Sequence, residues 1–88
     1  MEERITTLHP QGKQGVNISK LKYDVVRRAI IEAIRKHGEL AFKALPEEVA
    51  QRLEPDFDGS IGWYTTCVKL DLEARGLIAR RVDFPRAI

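Results

Sequence analysis

Cysteine is nearly absent from this sequence, because Cys67 is the only one in 88 residues. A single cysteine excludes an internal disulfide and any zinc site built from several cysteines, and it fits a reducing compartment. Long apolar runs are also missing, and no stretch approaches the roughly 20 residues that span a bilayer. The first fifteen residues contain two glutamates and no apolar segment of a secretory signal. We therefore expect a cytoplasmic protein with no membrane partner.

Motifs for catalysis and cofactor binding are missing as well. Gly-Lys-Gln-Gly at 12–15 lacks the spacing of a phosphate-binding loop, and no dinucleotide fingerprint or metal-ligand cluster occurs. His9 and His37 lie far apart in the sequence, and Cys67 has no evident histidine partner. We therefore expect a protein that is not an enzyme, with no metal, no cofactor and no small-molecule substrate.

The residues that are present are those of one small globular domain. Hydrophobic residues make up 43% and charged residues 32% of the chain, and a chain of this length buries too little surface for a second core. Apolar spacing predicts a first helix over 20–37, a short second helix with apolar residues at 45, 49 and 53, and a third helix over 61–75. The predicted caps are Ser19 and Gly38 for the first helix, and Ser60 and Gly76 for the third.

The ends of the chain complete the predicted fold. Residues 1–15 are predicted to form a flexible N-terminal arm, and 16–18 a short strand, because Pro and Gly interrupt the arm. After the third helix, Leu-Ile-Ala-Arg-Arg-Val-Asp-Phe-Pro at 77–85 alternates like a strand that enters a turn. The predicted fold is therefore α+β, mainly α: a winged helix-turn-helix over 16–88, with three helices plus a short β-strand or wing.

A family resemblance supports the same fold. The stretch LDLEARGLIARR, through Leu72, Glu73, Gly76, Leu77 and Ile78, resembles the junction of recognition helix and wing in many winged-helix regulators. The longer stretch GWYTTCVKLDLEARGLI, together with KYD at 22–24, resembles an uncharacterised bacterial family of small winged-helix-like domains. The resemblance covers most of 16–82. It implies a fold but no site, because that family has no assigned activity.

The third helix is predicted to have two apolar faces. Ile61, Tyr64, Val68 and Leu72 form one face, and Trp63, Cys67, Leu70 and Ala74 form the other. The one plainly polar strip contains Gly62, Thr66, Lys69 and Glu73. We expect Trp63 to be covered by the N-terminal arm, the wing strand or a second subunit. Asp71, between the apolar faces, is expected to pair with Arg75 or Arg80. The alternative is that Trp63, Cys67 and Leu70 form the interface of a homodimer or of a protein partner.

Nucleic-acid binding is the function that the winged-helix order favours, although the third helix is poor in base-reading residues. It has no asparagine or glutamine between residues 61 and 75. Carboxylates at 54–58 precede it, where they repel phosphates. Hydroxyls at its N-terminus and the arginines after it can still contact the backbone of DNA. The predicted contacts to double-stranded DNA are Ser60, Thr65, Thr66, Lys69, Arg80, Arg81 and Arg86.

Charge is unevenly distributed along the chain, which has a formal net charge of +2. Residues 19–38 contain six Lys or Arg and two acids, whereas residues 39–60 contain two Lys or Arg and six acids. A basic helix fits nucleic-acid association, and it equally fits an ordinary solvated face. Two functions therefore stay open: a nucleic-acid-associated winged-helix domain, and a protein-interaction or homodimerisation module that uses the second apolar face.

Overall fold

The computed structural model describes residues 3–13, 15–38, 40–53, 55 and 57–78. This part of the chain contains three α-helices and a two-stranded antiparallel sheet, so the predicted α+β, mainly α class is confirmed. The elements in chain order are β1 (Arg4–Thr6), β2 (Asn17–Ser19), α1 (Lys20–His37), a 3-10 turn (Phe42–Ala44), α2 (Leu45–Ala50) and α3 (Ile61–Ala74). In the described ranges, no helix is both long and apolar enough to cross a membrane.

Helix α1 begins and ends where its caps predict. The Ser19 hydroxyl accepts a hydrogen bond from the Lys22 N–H at 3.4 Å, which satisfies one of the free donors of the first turn. Gly38 ends the helix with φ 80°, and its N–H donates to the Ile34 carbonyl at 2.7 Å. Three basic residues in the last turn favour the negative end of the helix dipole. The side chains that α1 buries lie on one face.

Helix α2 is shorter than its apolar spacing predicts. Leu45 and Val49 are buried as expected, but the helix ends at Ala50. The Gln51 N–H still donates to the Glu47 carbonyl, but from Arg52 onward the turns are tighter, with the Arg52 N–H donating to the Val49 carbonyl at 2.9 Å. Leu53 therefore packs against the core from a turn and not from the helix.

Helix α3 ends in a Schellman motif. The Gly76 N–H donates to the Glu73 carbonyl at 3.1 Å, and the Leu77 N–H donates to the Leu72 carbonyl at 2.9 Å. Gly76 has φ 77°, a left-handed conformation that glycine adopts without steric cost. At the other end, the Ser60 hydroxyl accepts from the Trp63 N–H at 3.2 Å. Both predicted caps of α3 are confirmed.

A β-hairpin precedes α1, and the sequence predicts only one of its strands. Residues 17–19 form β2, close to the predicted 16–18, but residues 4–6 also form a strand inside the predicted arm. Ile5 pairs with Ile18 in the antiparallel register. Beyond the strands, the Thr7 N–H donates to the Val16 carbonyl at 2.8 Å, and a Cβ at Gly15 would lie 1.8 Å from the Thr7 carbonyl oxygen. Glycine at position 15 is therefore required for the hairpin to close.

The core lies where α1 packs against α2, α3 and the hairpin. Its buried side chains are Ile18, Tyr23, Val26, Ala29, Ile30, Ala33, Leu45, Val49, Val68 and Leu72. After α3, residues 77 and 78 form a bend, and the rest of the predicted wing strand lies outside the described residues.

Candidate functional site

A buried carboxylate anchors α3 to the rest of the domain. Asp71 is fully buried, and its Oδ1 accepts a hydrogen bond from the Leu8 N–H at 2.8 Å. Its Oδ2 accepts from the Tyr23 hydroxyl and from Arg75 Nε, the latter at 2.8 Å. The predicted pairing with Arg75 is confirmed. One side chain therefore connects the N-terminal segment, α1 and the C-terminal end of α3.

The pKa values of this cluster fix its protonation states. Burial alone raises the pKa of Asp71, but hydrogen bonds from Arg75, Tyr23 and the Leu8 N–H outweigh burial and lower that pKa below the usual aspartate value. Burial first, and the hydrogen bond to Asp71 second, raise the pKa of Tyr23 to about 12. Near neutral pH the cluster therefore consists of a carboxylate, a neutral phenol and a guanidinium. Its charges balance, as a structural cluster requires.

The polar strip of α3 is satisfied within the chain. Lys69 Nζ lies 2.7 Å from the Glu73 carboxylate, and the two side chains are only 12% and 8% exposed. The same ammonium lies 4.7 Å from the centre of the Phe42 ring, within the range of a cation–π contact. The Thr66 hydroxyl donates to the Gly62 carbonyl at 3.0 Å. Lys69, the cation of this strip that the sequence predicts to contact DNA, is therefore engaged by an anion and an aromatic ring within the chain.

The structure describes four of the predicted nucleic-acid contacts, Ser60, Thr65, Thr66 and Lys69, and one of them is buried. Thr65 is a correction: its side chain is fully buried between packed elements, so its hydroxyl cannot reach a phosphate. Ser60 is exposed, but its hydroxyl already accepts from the Trp63 N–H. Thr66 and Lys69 have the partners described above. The remaining predicted contacts, Arg80, Arg81 and Arg86, lie outside the described residues.

The second apolar face of α3 points away from the core, and we call it the outer face. It consists of Trp63, Cys67, Leu70 and Ala74. Among the described residues the Trp63 side chain is 46% exposed, and the ring that it contacts is Tyr64, edge to face at 5.0 Å. The described part of the N-terminal arm therefore leaves Trp63 uncovered, and most of the predicted wing strand lies outside the described residues. The other three residues are partly exposed. Partial burial raises the pKa of the Cys67 thiol, which therefore stays protonated near neutral pH.

A cavity of about 530 Å³ opens beside the C-terminal half of the outer face, and we call it the C-terminal cavity. On one side it is lined by Leu70 and Glu73 of α3 and by Ile78 in the bend that follows, and on the other side by the loop that contains His9, Pro10, Gln11 and Lys13. The loop is closed by the Gly12 N–H, which donates to the His9 carbonyl at 3.0 Å. Its first residue, Leu8, is held by Asp71. The buried carboxylate therefore also positions the cavity wall.

Basic residues on the exposed side of α1 form the other notable surface. Lys20 pairs with Asp24 at 2.9 Å, but Arg28, Arg35 and Lys36 are exposed and have no ion pair with the described residues. Leu21 on the same helix is 72% exposed. The sequence predicts this solvated side from its helical spacing.

Comparison with known proteins identifies the family of the chain. Among the described residues, no three His, Cys, Asp or Glu side chains are grouped so as to hold a metal ion. No curated protein and no solved structure matches the chain. The sequence model of a family of unknown function, DUF6958, matches residues 4–87. The chain therefore belongs to the DUF6958 family.

Proposed function

We propose that this domain is a non-enzymatic self-association module, and that two copies of the chain pack through the outer face of α3. The observation that carries the proposal is the 46% exposure of Trp63 on a face that has no charged residue. Tryptophan is buried in most folded proteins, and aromatic residues are enriched at the centres of interfaces. A partner that covers this face would bury Trp63, which the described part of the domain leaves exposed.

The spacing of the outer face favours a second copy as that partner. Its four residues lie at positions 63, 67, 70 and 74, separated by four, three and four residues. Alternating gaps of three and four residues form the seam of helix pairs. The gaps read the same in both directions, so two antiparallel copies of the seam match each other, as an interface with two-fold symmetry requires.

The polar residues beside the outer face are compatible with this packing. The Lys69 and Glu73 charges neutralise each other at 2.7 Å, so burying their edge of the helix does not isolate a charge. Gly62 has no atom within 4 Å of the position where a Cβ would be, which leaves room for close approach at the start of α3.

Light scattering over a concentration series tests the proposal. We expect a mass that rises from the 10.0 kDa of one chain to twice that value. A charge placed in the seam by Leu70→Glu shifts the transition to higher concentration, whereas Leu21→Glu, on the exposed side of α1, leaves it unchanged. A single-chain mass at every concentration, or equal effects of the two variants, would refute association through the outer face.

Nucleic-acid association is the second candidate, and we propose for it a winged-helix arrangement with α3 as the third helix of the motif. The observation that favours it is the exposed, unpaired set of Arg28, Arg35 and Lys36 on α1 within the described chain. Such cations release counterions from DNA, so duplex binding would weaken steeply with salt. Fluorescence anisotropy with labelled duplex at low salt tests it. We expect weaker binding for Arg80→Ala with Arg81→Ala and for Arg28→Ala with Arg35→Ala, and no binding by the unmodified chain would exclude it.

A further inference from the structure

We infer that Trp63 of each chain inserts into the C-terminal cavity of the other chain, in an antiparallel, two-fold pair of α3 helices. This inference rests on the self-association proposed above and specifies how the two copies fit. Its starting point is that Trp63 and the C-terminal cavity lie at opposite ends of the same helix: Trp63 is in the first turn, whereas Leu70 and Glu73 belong to the last two turns.

The seam sets the register of the pair. When the two-fold axis passes midway between positions 67 and 70, Trp63 faces Ala74 of the partner subunit, and Cys67 faces Leu70 of the partner subunit. Each layer then places a larger side chain against a smaller one, which lets the helices approach without overlap or void. Symmetry repeats both contacts, so four layers form from four positions.

The cavity lies next to the position where this register delivers the indole, because it is lined by Leu70 and Glu73, the neighbours of Ala74 on the same helix. Ala74 is one turn beyond Leu70, and Ile78 follows in the bend after the helix; both Leu70 and Ile78 line the C-terminal cavity. A volume of about 530 Å³ accommodates an aromatic side chain together with rearranged solvent. The Glu73 carboxylate and the Gln11 side chain line the same cavity, and each carries an oxygen that can accept the hydrogen bond a buried indole N–H requires.

A parallel pair fits these observations poorly. In a parallel pair every residue faces its own copy, so Trp63 would lie against Trp63 of the partner subunit, and Ala74 would lie against Ala74 of the partner subunit. The first layer would then be overfilled, and both cavities would stay without an occupant from the seam. The large and small ends of the outer face therefore favour the antiparallel orientation.

The first test is the dimer dissociation constant of Trp63→Ala, measured by analytical ultracentrifugation. We expect an increase of at least about 30-fold, the effect of removing an interface hot spot. Because Trp63 is exposed in the single chain, the variant should keep the circular dichroism spectrum of the native fold. Leu21→Ala serves as the matched control, since it removes an exposed apolar side chain from another helix. A dimer that survives Trp63→Ala with unchanged affinity would overturn the inference.

Disulfide cross-linking between two single-cysteine chains tests the orientation. The unmodified chain has a thiol only at position 67, and a tagged Cys67→Ser, Leu70→Cys chain has one only at position 70. In the antiparallel register these two positions share a layer, whereas two copies of Cys67 are offset by about 4.5 Å along the helices, which adds to their separation across the pair and disfavours a disulfide. We therefore expect cross-linked heterodimers on mixing and little cross-linking of either chain alone.

The outcomes separate the two proposals. Efficient cross-linking of the unmodified dimer through Cys67 alone, with no gain on mixing, would overturn the antiparallel inference and leave self-association standing. A chain that stays single at all concentrations would overturn both.

Discussion

Tyr23 in α1 donates its hydroxyl to the buried carboxylate of Asp71 in α3, and this contact joins the two longest helices of the domain. The same carboxylate holds the Leu8 N–H and Arg75 Nε, both at 2.8 Å. Three donors from three parts of the chain converge on one side chain. Removing it therefore affects the hairpin, the helix pair and the C-terminal cavity together.

We expect Asp71→Ala to lower the free energy of unfolding by about 3 kcal/mol, because it leaves buried donors without an acceptor. Tyr23→Phe should cost about 1 kcal/mol, since Asp71 keeps its other two donors. Urea denaturation followed by circular dichroism measures both values. If Asp71→Ala proved as stable as the unmodified chain, the carboxylate would not anchor α3.

The pKa directions of the cluster predict a loss of stability at both ends of the pH scale. Folding lowers the pKa of Asp71 below the unfolded value of 3.8, so its contribution is present above that pH and is lost as pH falls through the folded value. Folding raises the pKa of Tyr23 from 10.0 to about 12, so its contribution is full below pH 10 and is lost between those values.

Urea denaturation between about pH 2 and 12, a range that covers the titration of both groups, measures whether the free energy of unfolding falls at each end. We expect Asp71→Ala to flatten the acid side and Tyr23→Phe to flatten the alkaline side. Parallel pH profiles for the variants and the unmodified chain would show that neither group is linked to folding.

The variant Thr65→Val tests whether the Thr65 side chain is buried in the core. Among the described residues its buried hydroxyl has no hydrogen-bond partner. Thr65→Val keeps the shape and removes the buried polar atom, so we expect the free energy of unfolding to rise by about 1 kcal/mol. Thr66→Val is the matched control, because the Thr66 hydroxyl is bonded to the Gly62 carbonyl and its removal should bring no gain. If Thr65→Val were no more stable than Thr66→Val, the burial of the Thr65 hydroxyl would be contradicted.

Lys69 distinguishes an internal ion pair from a DNA contact. We expect Lys69→Ala to lower the free energy of unfolding by about 1–3 kcal/mol, because Glu73 would remain largely buried without its cation. Lys36→Ala, at an exposed and unpaired position, should change it by less than about 0.5 kcal/mol. Equal stabilities of the two variants would indicate that Lys69 is free for another role.

Local signals in the sequence predict the helices well. Ser19 and Ser60 cap helices by bonding to residues three positions later, and Gly38 and Gly76 end them through their own conformation. Each of these interactions is decided within a few residues. The sequence does not predict strand β1, because a three-residue segment has too little alternation and its pairing depends on Gly15 and the distant β2.

Which face of α3 packs inward could be predicted only in part. Apolar residues occupy two faces of this helix, so a helical wheel shows two candidate cores and does not place Thr65 or Trp63. The spacing of Lys69 and Glu73, four residues apart, does predict their ion pair. The contact of Lys69 with Phe42 and that of Asp71 with Tyr23 depend on tertiary packing, which no local pattern contains.

The fluorescence of Trp63 during dilution tests the central claim most directly, because this residue is the only tryptophan in the chain. An exposed indole emits at longer wavelength than a buried one, and each dimer is expected to bury two of them. We predict a red shift on dilution whose midpoint coincides with the fall in mass measured by light scattering. Emission that stays constant while the mass falls, or a mass that never exceeds one chain, would contradict association through Trp63.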